Sequence, residues 1–316
     1  MILTRAPLRI PLGGGGTDFP SHYLKHSGFV VGFALNKFVH VVLHKTLDKK
    51  IRLKYSLNET VSNPEELKNR VSAEALKWYG VDSNIEVSTF SDVPESSGLG
   101  GSSAFCVALV TALRRLLKKN LDKMEIFASA YDIERNRAKQ PGGIQDQFFA
   151  AHGGAWCLEL AKKGCVQDGI DVAGLLPKLY LKYAGNQRSN LDIATRQTEK
   201  SQEDEKCQVA NLAWMKKLGN DIAAAVVARD FDKVGETFNT HWTLKKQRDP
   251  KIVVNGLDER LSSLLTETGS TGGKLIGLGG GGYFLLYSPR PIKLNKFKDL
   301  IPVGIDYIGS TVVYES

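Results

Sequence analysis

Three glycine-bearing stretches and two isolated carboxylates carry the chemistry legible in this chain. The first stretch is Pro94-Glu95-Ser96-Ser97-Gly98-Leu99-Gly100-Gly101-Ser102-Ser103-Ala104, set between a strand-like run and a helical pattern. Helix amides of the first turn have no internal partner, and the peptide dipoles place partial positive charge there. Such a terminus is a natural anion site, and the glycines let backbone approach a phosphate without a Cβ in the way. A capped turn that binds nothing is the plainer reading. Ser102 or Ser103 is the expected N-cap, with a hydroxyl in reach of a phosphate-bound cation. A Walker-type loop is excluded by the missing Gly-Lys-Ser/Thr ending, and a Rossmann loop by the missing later glycine.

The second stretch, Gly13-Gly14-Gly15-Gly16-Thr17-Asp18, removes every side chain from one place. It suits either a substrate lying on bare backbone or a flexible linker. The third, Gly272-Gly273-Lys274-Leu275-Ile276-Gly277-Leu278-Gly279-Gly280-Gly281-Gly282, reads as strand, glycine turn, strand. Glu134 falls on a helical face with Phe127, Tyr131 and Ala138. A carboxylate on an apolar stripe must meet a cation, through either a salt bridge to a distant lysine or a magnesium contact. Arg135 and Arg137 point elsewhere on an α-helix. Asp146 follows Gly142-Gly143, where a substrate could approach closely.

The elements that position these groups follow from periodicity. Alternation predicts strands over 29–35, 38–43, 51–57, 85–90 and 175–183, and the two prolines at Pro7 and Pro11 predict an edge strand or an irregular segment. Helices are predicted over 63–79, from Phe105 to Leu116, from Asp122 to the Pro141 break, and over 203–229 and 231–246. In the last, Phe238, His241 and Trp242 share one side, which reads as packing rather than as a catalytic histidine. His40 and His44 have no third ligand and read as solvated strand residues.

The 316 residues carry a formal charge of +8 and are 42% hydrophobic, enough for a sizeable core in two domains, expected at 1–172 and 173–316. The positive balance favours acidic partners such as nucleotides or sugar phosphates. Basic residues are scattered, so the sequence gives no support to nucleic-acid binding. Lys245, Lys246 and Arg248 are a tight cluster. No apolar run reaches about 18 residues and no signal peptide is visible, so neither a membrane span nor export is expected. The four cysteines lack Cys-x-x-Cys spacing and fit reduced thiols in a cytoplasmic enzyme, Cys106 as core packing.

The stretch from Pro94 resembles the ATP-phosphate loop of the GHMP kinases, with Gly101-Ser102-Ser103 where that family has Ser-Ser-Ala. The run Ala6-Pro7-Leu8-Arg9 before the first glycine turn, and the glycine turn near Gly279, resemble the family's first and third motifs. Gly143-Ile144-Gln145-Asp146-Gln147-Phe148 is similar to a galactokinase segment. The resemblance implies an α+β fold, an N-terminal domain with a left-handed β-α-β crossover and a ferredoxin-like C-terminal domain, with the site between them. It implies ATP and Mg2+ as cofactors, with ATP held by Pro94, Gly98, Leu99, Gly100, Gly101, Ser102 and Ser103. Ser102 and Glu134 match the metal contacts, Asp146 the catalytic base, and Arg9 the basic residue facing the reacting phosphate. Gly15, Gly16, Thr17, Asp18, Gly142 and Gly143 fall where substrate is bound. Galactokinases carry Gly-Glu-His-Thr-Asp at the first turn, and Gly14-Gly15-Gly16-Thr17-Asp18 lacks that Glu-His pair, implying a different sugar.

Within the superfamily the sequence most resembles the D-glycero-D-manno-heptose 7-phosphate kinases, through Arg5-Ala6-Pro7-Leu8-Arg9, His241-Trp242 with Lys245-Lys246, and the third glycine run. That resemblance implies phosphorylation of an anomeric hydroxyl to a 1,7-bisphosphate, a step toward nucleotide-activated heptose for surface polysaccharide. Arg188, Lys245 and Lys246 are then candidates for the distal phosphate. Two other readings stand beside it: an anomeric kinase for a free sugar such as fucose or galactose, and a silent sugar and nucleotide sensor, which intact Arg9, Ser102, Glu134 and Asp146 argue against.

Overall fold

The structure, a computed structural model, describes residues 1–186, 205–254 and 256–316. Its larger sheet is built around β1 (Ile2–Gly13) and the long β2 (Gly28–Lys45), which pair antiparallel along almost their whole length. The segments expected as separate strands at 29–35 and 38–43 are thus one continuous strand. Beyond β2 lie β5 (Ile85–Ser91), β3 (Ile51–Lys54) and β4 (Asn58–Val61), while β6 (Ala155–Ala161) pairs with the first half of β2 and with β7 (Gly164–Gly169). β3 and β5 run parallel, joined through β4 and helix α2 (Arg70–Tyr79), a β-α-β crossover.

β1 is not the edge strand that its prolines predict, because β12 (Thr311–Glu315) covers its other side. A proline cannot donate to a ladder, and here the register with β2 shifts between Pro7 and Leu8 and again between Pro11 and Gly13. Both prolines therefore sit at irregularities, where a missing donor costs least. The return of β12 also corrects the expected division of the chain: a second unit of residues 173–316 would contain it, yet it belongs to the first sheet. An isolated bridge from Leu35 to Ile305 reinforces that seam.

The second sheet has four antiparallel strands, β8 (Leu179–Asn186), β9 (Gly272–Leu275), β10 (Gly281–Tyr287) and β11 (Leu300–Pro302), in the order β11-β8-β10-β9. Numbered within the sheet this is 4-1-3-2, the ferredoxin-like order. Helices α6 (Glu205–Val227), α7 (Phe231–Arg248) and α8 (Leu257–Thr268) connect β8 to β9. α7 and α8 pack on β9 and β10, whereas α6 lies across β1 and β2 and ties the halves together.

Helix α3 (Gly101–Leu116) is the central pillar beneath the first sheet. Cys106, Val107, Ala108, Leu109, Val110, Ala112 and Leu113 are all buried, so the helix is enclosed nearly all round rather than striped. Each fully buried leucine there contributes on the order of 2 kcal/mol. α3 packs against β1, β2 and helices α4 (Lys123–Tyr131) and α5 (Gln145–His152), which places its N-terminus beside the residues that follow α4 and open α5.

Candidate active site

The Pro94–Ala104 glycine loop connects β5 to α3. Gly98 and Gly100 have φ of +77° and +81°, a region glycine enters without the Cβ penalty. The N-cap of α3 is Gly100, not Ser102 or Ser103, which lie within its first turn. Their hydroxyls are thereby released from capping and turned to side chains: Ser102 Oγ donates to Glu134 Oε1 at 2.7 Å, and Ser103 Oγ accepts from Arg135 Nη2 at 3.2 Å. The third glycine run packs on this loop, as the resemblance implies. A Cβ on Gly277 would stand 2.6 Å from the Gly98 Cα, and one on Gly282 2.3 Å from the Ser97 carbonyl oxygen.

Glu134 is fully buried and also accepts from Gln147 Nε2 at 2.7 Å. Its nearest cation is Arg135, with Nη1 3.3 Å from Oε1, in place of the distant lysine considered from sequence. No group of three His, Cys, Asp or Glu side chains able to hold a metal occurs among the described residues. Magnesium does not require one, because it keeps waters and takes phosphate oxygens alongside one or two protein donors. The hard oxygens of Glu134 and Ser102, 2.7 Å apart at the mouth of the phosphate loop, fit that donor set.

Asp146 and Arg9 meet across the loop. Arg9 Nε donates to Asp146 Oδ1 at 2.7 Å and Nη1 donates to the Gly98 carbonyl at 2.6 Å, while the Arg9 amide holds the Leu99 carbonyl at 3.0 Å. One residue of β1 thus fixes both the phosphate loop and the carboxylate in the first turn of α5. Asp18 is buried beside them and accepts from the Gln145 amide (3.3 Å), Gln145 Nε2 (3.0 Å) and the Gly16 amide (3.1 Å). Burial, then the negative charge of Asp146, raises its carboxyl above the ordinary value. A Cβ on Gly143 would come within 1.9 Å of Asp18 Oδ2. Gly143→Ala is therefore expected to displace Asp18 and lower kcat/KM about 100-fold, the cost of roughly 1 Å of misplacement. Steady-state kinetics beside a thermal melt would check it; unchanged kcat/KM would remove Asp18 from the acceptor site.

Opposite these carboxylates the cleft is basic. α7 presents His241, Lys245 and Arg248, spaced by four and three residues and hence on one helical face, and β9 adds Lys274. Lys245 Nζ donates to the Leu275 carbonyl at 3.1 Å and also to that of Gly277; Lys274 Nζ donates to the Leu12 carbonyl at 2.5 Å. His241 is buried, and its Nδ1 has no hydrogen-bond partner among the described residues. Burial, followed by the charges of Lys274, Lys245 and Arg248, pushes the imidazole well below its usual value. Burial likewise lowers Lys245 and Arg248, and brings Lys274 down to about 7.

The structure brings part of the expected set together. Arg9, Gly15, Gly16, Asp18, Gly142, Gly143, Asp146 and Lys245 line one cleft. Two of the substrate-side candidates fall away from it. Lys246 pairs with Asp258 and lies against the Trp242 ring, because adjacent helical residues point about 100° apart. Thr17 spends its hydroxyl on backbone, 2.7 Å from the Gly14 carbonyl and 3.1 Å from the Phe29 amide, so it shapes the glycine turn rather than facing substrate. Arg188 lies outside the described residues. Arg135, His241, Arg248 and Lys274 were not expected in the cleft; the 241, 245, 248 spacing was the available signal for two of them.

Residues 67–154 match the family profile described as the GHMP kinases N terminal domain. Residues 67–154 thus carry the N-terminal domain of the GHMP kinases. The matched segment contains the Pro94–Ala104 glycine loop, Glu134 and Asp146; the protein is a phosphotransferase, and GHMP kinases use ATP as phosphate donor. Across its length this chain is similar to D-glycero-alpha-D-manno-heptose 7-phosphate kinase of Campylobacter jejuni, 28% identical over 95% of this chain and 93% of the relative. Its fold is that of a D-glycero-D-manno-heptose 1-phosphate kinase from Bacteroides thetaiotaomicron (TM-score 0.76, 19% identity, all of both chains). It is also that of Lactococcus lactis galactokinase complexed with galactose (TM-score 0.75, 16% identity, 98% of this chain and 94% of the other). No helix among the described residues is long and apolar enough to cross a membrane.

Proposed function

We propose that this GHMP kinase transfers the γ-phosphoryl group of ATP to the anomeric hydroxyl of D-glycero-D-manno-heptose 7-phosphate, giving the 1,7-bisphosphate. The observation that carries the reading is the charge of the cleft. Arg9, Arg135, Lys245, Arg248 and Lys274 line it; Asp146 pairs with Arg9 and Glu134 with Arg135, which leaves Lys245, Arg248 and Lys274 facing Asp18 among the described lining residues, an excess of cations that a neutral sugar would leave uncompensated. Buried like charges repel and are poorly solvated, so a wall of this kind is stabilised by an anionic guest. The ATP phosphates belong at the α3 terminus on the other side of Arg9, which leaves the α7 and β9 wall for a phosphate carried by the sugar.

The roles follow from the geometry. Asp18, with the bare backbone of Gly16 and Gly143, holds sugar hydroxyls. Asp146 orients the acceptor hydroxyl and takes its proton as the oxygen bonds to the γ-phosphorus and the bond to the β,γ-bridging oxygen breaks. Arg9, held by Asp146 and Gly98, offers its charge between acceptor and donor. Glu134 and Ser102 would hold magnesium, which supplies charge neutralisation on the transferring phosphates. Positioning and charge neutralisation supply most of the barrier reduction in phosphoryl transfer.

The test is ATP-dependent ADP release against heptose 7-phosphate, free heptose, mannose, galactose and fucose, each with and without magnesium. Magnesium-dependent turnover with kcat/KM at least about 100-fold higher for the phosphorylated heptose, the worth of one or two charge-assisted hydrogen bonds, is expected. Preference for a free sugar would overturn the assignment of the basic wall.

A further inference from the structure

The element that joins the two halves of the site is Arg135, and it faces inward because of a local departure from the α-helix. After α4 the chain makes a π-helical turn, Asp132–Arg137, in which the Ala138 amide reaches back to the Ile133 carbonyl at 2.8 Å. In a regular α-helix successive residues point about 100° apart, which is why Arg135 is expected to turn away from the face of Glu134. The wider turn narrows that step, and both side chains reach the start of α3. Glu134 meets Ser102 and Arg135 meets Ser103, two successive residues on two successive residues at the start of α3. π-helical turns carry a cost in regular packing and concentrate at functional positions.

The guanidinium is spread over three segments. Nη2 donates to Ser103 Oγ at 3.2 Å on the nucleotide side. Nε donates to the Gly143 carbonyl at 3.2 Å, and Nη1 approaches those of Gln140 and Pro141 at 3.5 and 3.4 Å, on the sugar side. Nη1 also lies 3.3 Å from Glu134 Oε1. The side chain is 10% exposed. A Cβ on Gly142 would stand 2.6 Å from its Cζ, so the loop wraps the guanidinium at a distance only glycine permits. Immediately after this loop come Gln145, which holds Asp18, and Asp146, which pairs with Arg9.

We propose that Arg135 is a positioning residue, a latch that fixes the 140–143 loop, and through it Asp18 and Asp146, against the phosphate loop at Ser103. The latch acts on alignment of donor with acceptor. It rests on the phosphoryl-transfer reading of Asp146 and not on which sugar is used. The planar fork is essential: a lysine ammonium at the same position keeps the charge and cannot span Ser103 and the loop carbonyls together.

Amide hydrogen exchange of residues 140–147 and steady-state kinetics, with whichever acceptor the wild type turns over, test it in Arg135→Ala, Arg135→Lys and Gly142→Ala. The expected result is faster exchange confined to 140–147 in all three and a kcat lower by about 100-fold, with the KM for ATP within about threefold of wild type. Gly142→Ala retains the arginine and its charge, so its agreement with Arg135→Ala separates latch geometry from charge. Unchanged exchange at 140–147 in Arg135→Ala, or wild-type kcat in Arg135→Lys, would overturn the latch. Should Arg135→Ala fail to fold, the other two variants decide by the same criteria. Loss of heptose 7-phosphate turnover as the wild-type activity would refute the sugar assignment and leave the exchange result standing on its own.

Discussion

Asp146→Asn is expected to lower kcat by about 1,000-fold or more while leaving the fold intact. Asparagine has the same shape but cannot take the acceptor proton, and general-base catalysis alone is worth about 100- to 10,000-fold. It also removes the charge that holds Arg9 Nε at 2.7 Å, leaving a buried guanidinium free to pair elsewhere in the cleft. Both losses fall on the chemical step, so kcat should drop far more than the KM for ATP changes. The fold does not depend on this carboxylate. α5 is anchored by Phe148, Phe149, Ala150 and Ala151, which are buried, while the Asp146 side chain faces the cleft and is 21% exposed. Kinetics paired with a thermal melt would decide it. A variant that melts like the wild type and turns over within tenfold of it would show that Asp146 is not the base.

Most of this site was legible because its parts lie in local sequence patterns with a strict physical meaning. The phosphate loop needs glycine where the backbone turns left-handed, at Gly98 and Gly100, and no distant contact can relax that demand. The interval from Glu134 to Asp146 survives because Pro141-Gly142-Gly143 must break the helix between them. Arg135 was misread for a definite reason: α-helical periodicity cannot announce a π-helical turn, whose extra residue per turn rotates every later side chain. The serines were misplaced as caps because Gly100, already left-handed, takes the N-cap without a side-chain oxygen. β1 was read as an edge because its partner β12 comes from the far end of the chain, and no local pattern at Pro7 or Pro11 encodes that pairing. Lys274 was invisible as a site residue, since only the antiparallel pairing of β9 with β10 carries it under α7.

Lys274→Met is expected to raise the KM for heptose 7-phosphate by about 10- to 100-fold, leave the KM for ATP nearly unchanged and make the empty protein more stable. The first effect is the loss of one charge-assisted hydrogen bond to a phosphate, about 1.5–3 kcal/mol. The stability gain comes from the ammonium itself, which is buried beside Phe238, donates to the Leu12 carbonyl, and is brought to about 7 by desolvation. A lysine depressed in the folded state from 10.5 binds fewer protons there than in the unfolded chain between pH 7 and 10.5, so wild-type stability from this residue rises with pH across that window. Methionine removes the dependence. Phosphate binding has the opposite sign: a dianionic guest requires the ammonium, so wild-type KM for heptose 7-phosphate should climb as pH rises through 7, while the KM for free heptose stays flat. Denaturation midpoints and KM at pH 6.5 and 8.5 for both proteins would read the two signs together. A KM for the phosphorylated sugar indifferent to both pH and Lys274→Met would place the phosphate elsewhere, and an unchanged stability slope would mean that Lys274 keeps its proton by sharing a carboxylate. The carboxylates lining the same cleft are Asp18 and Asp146, and their ties to Gln145 and Arg9 leave the ammonium to the substrate.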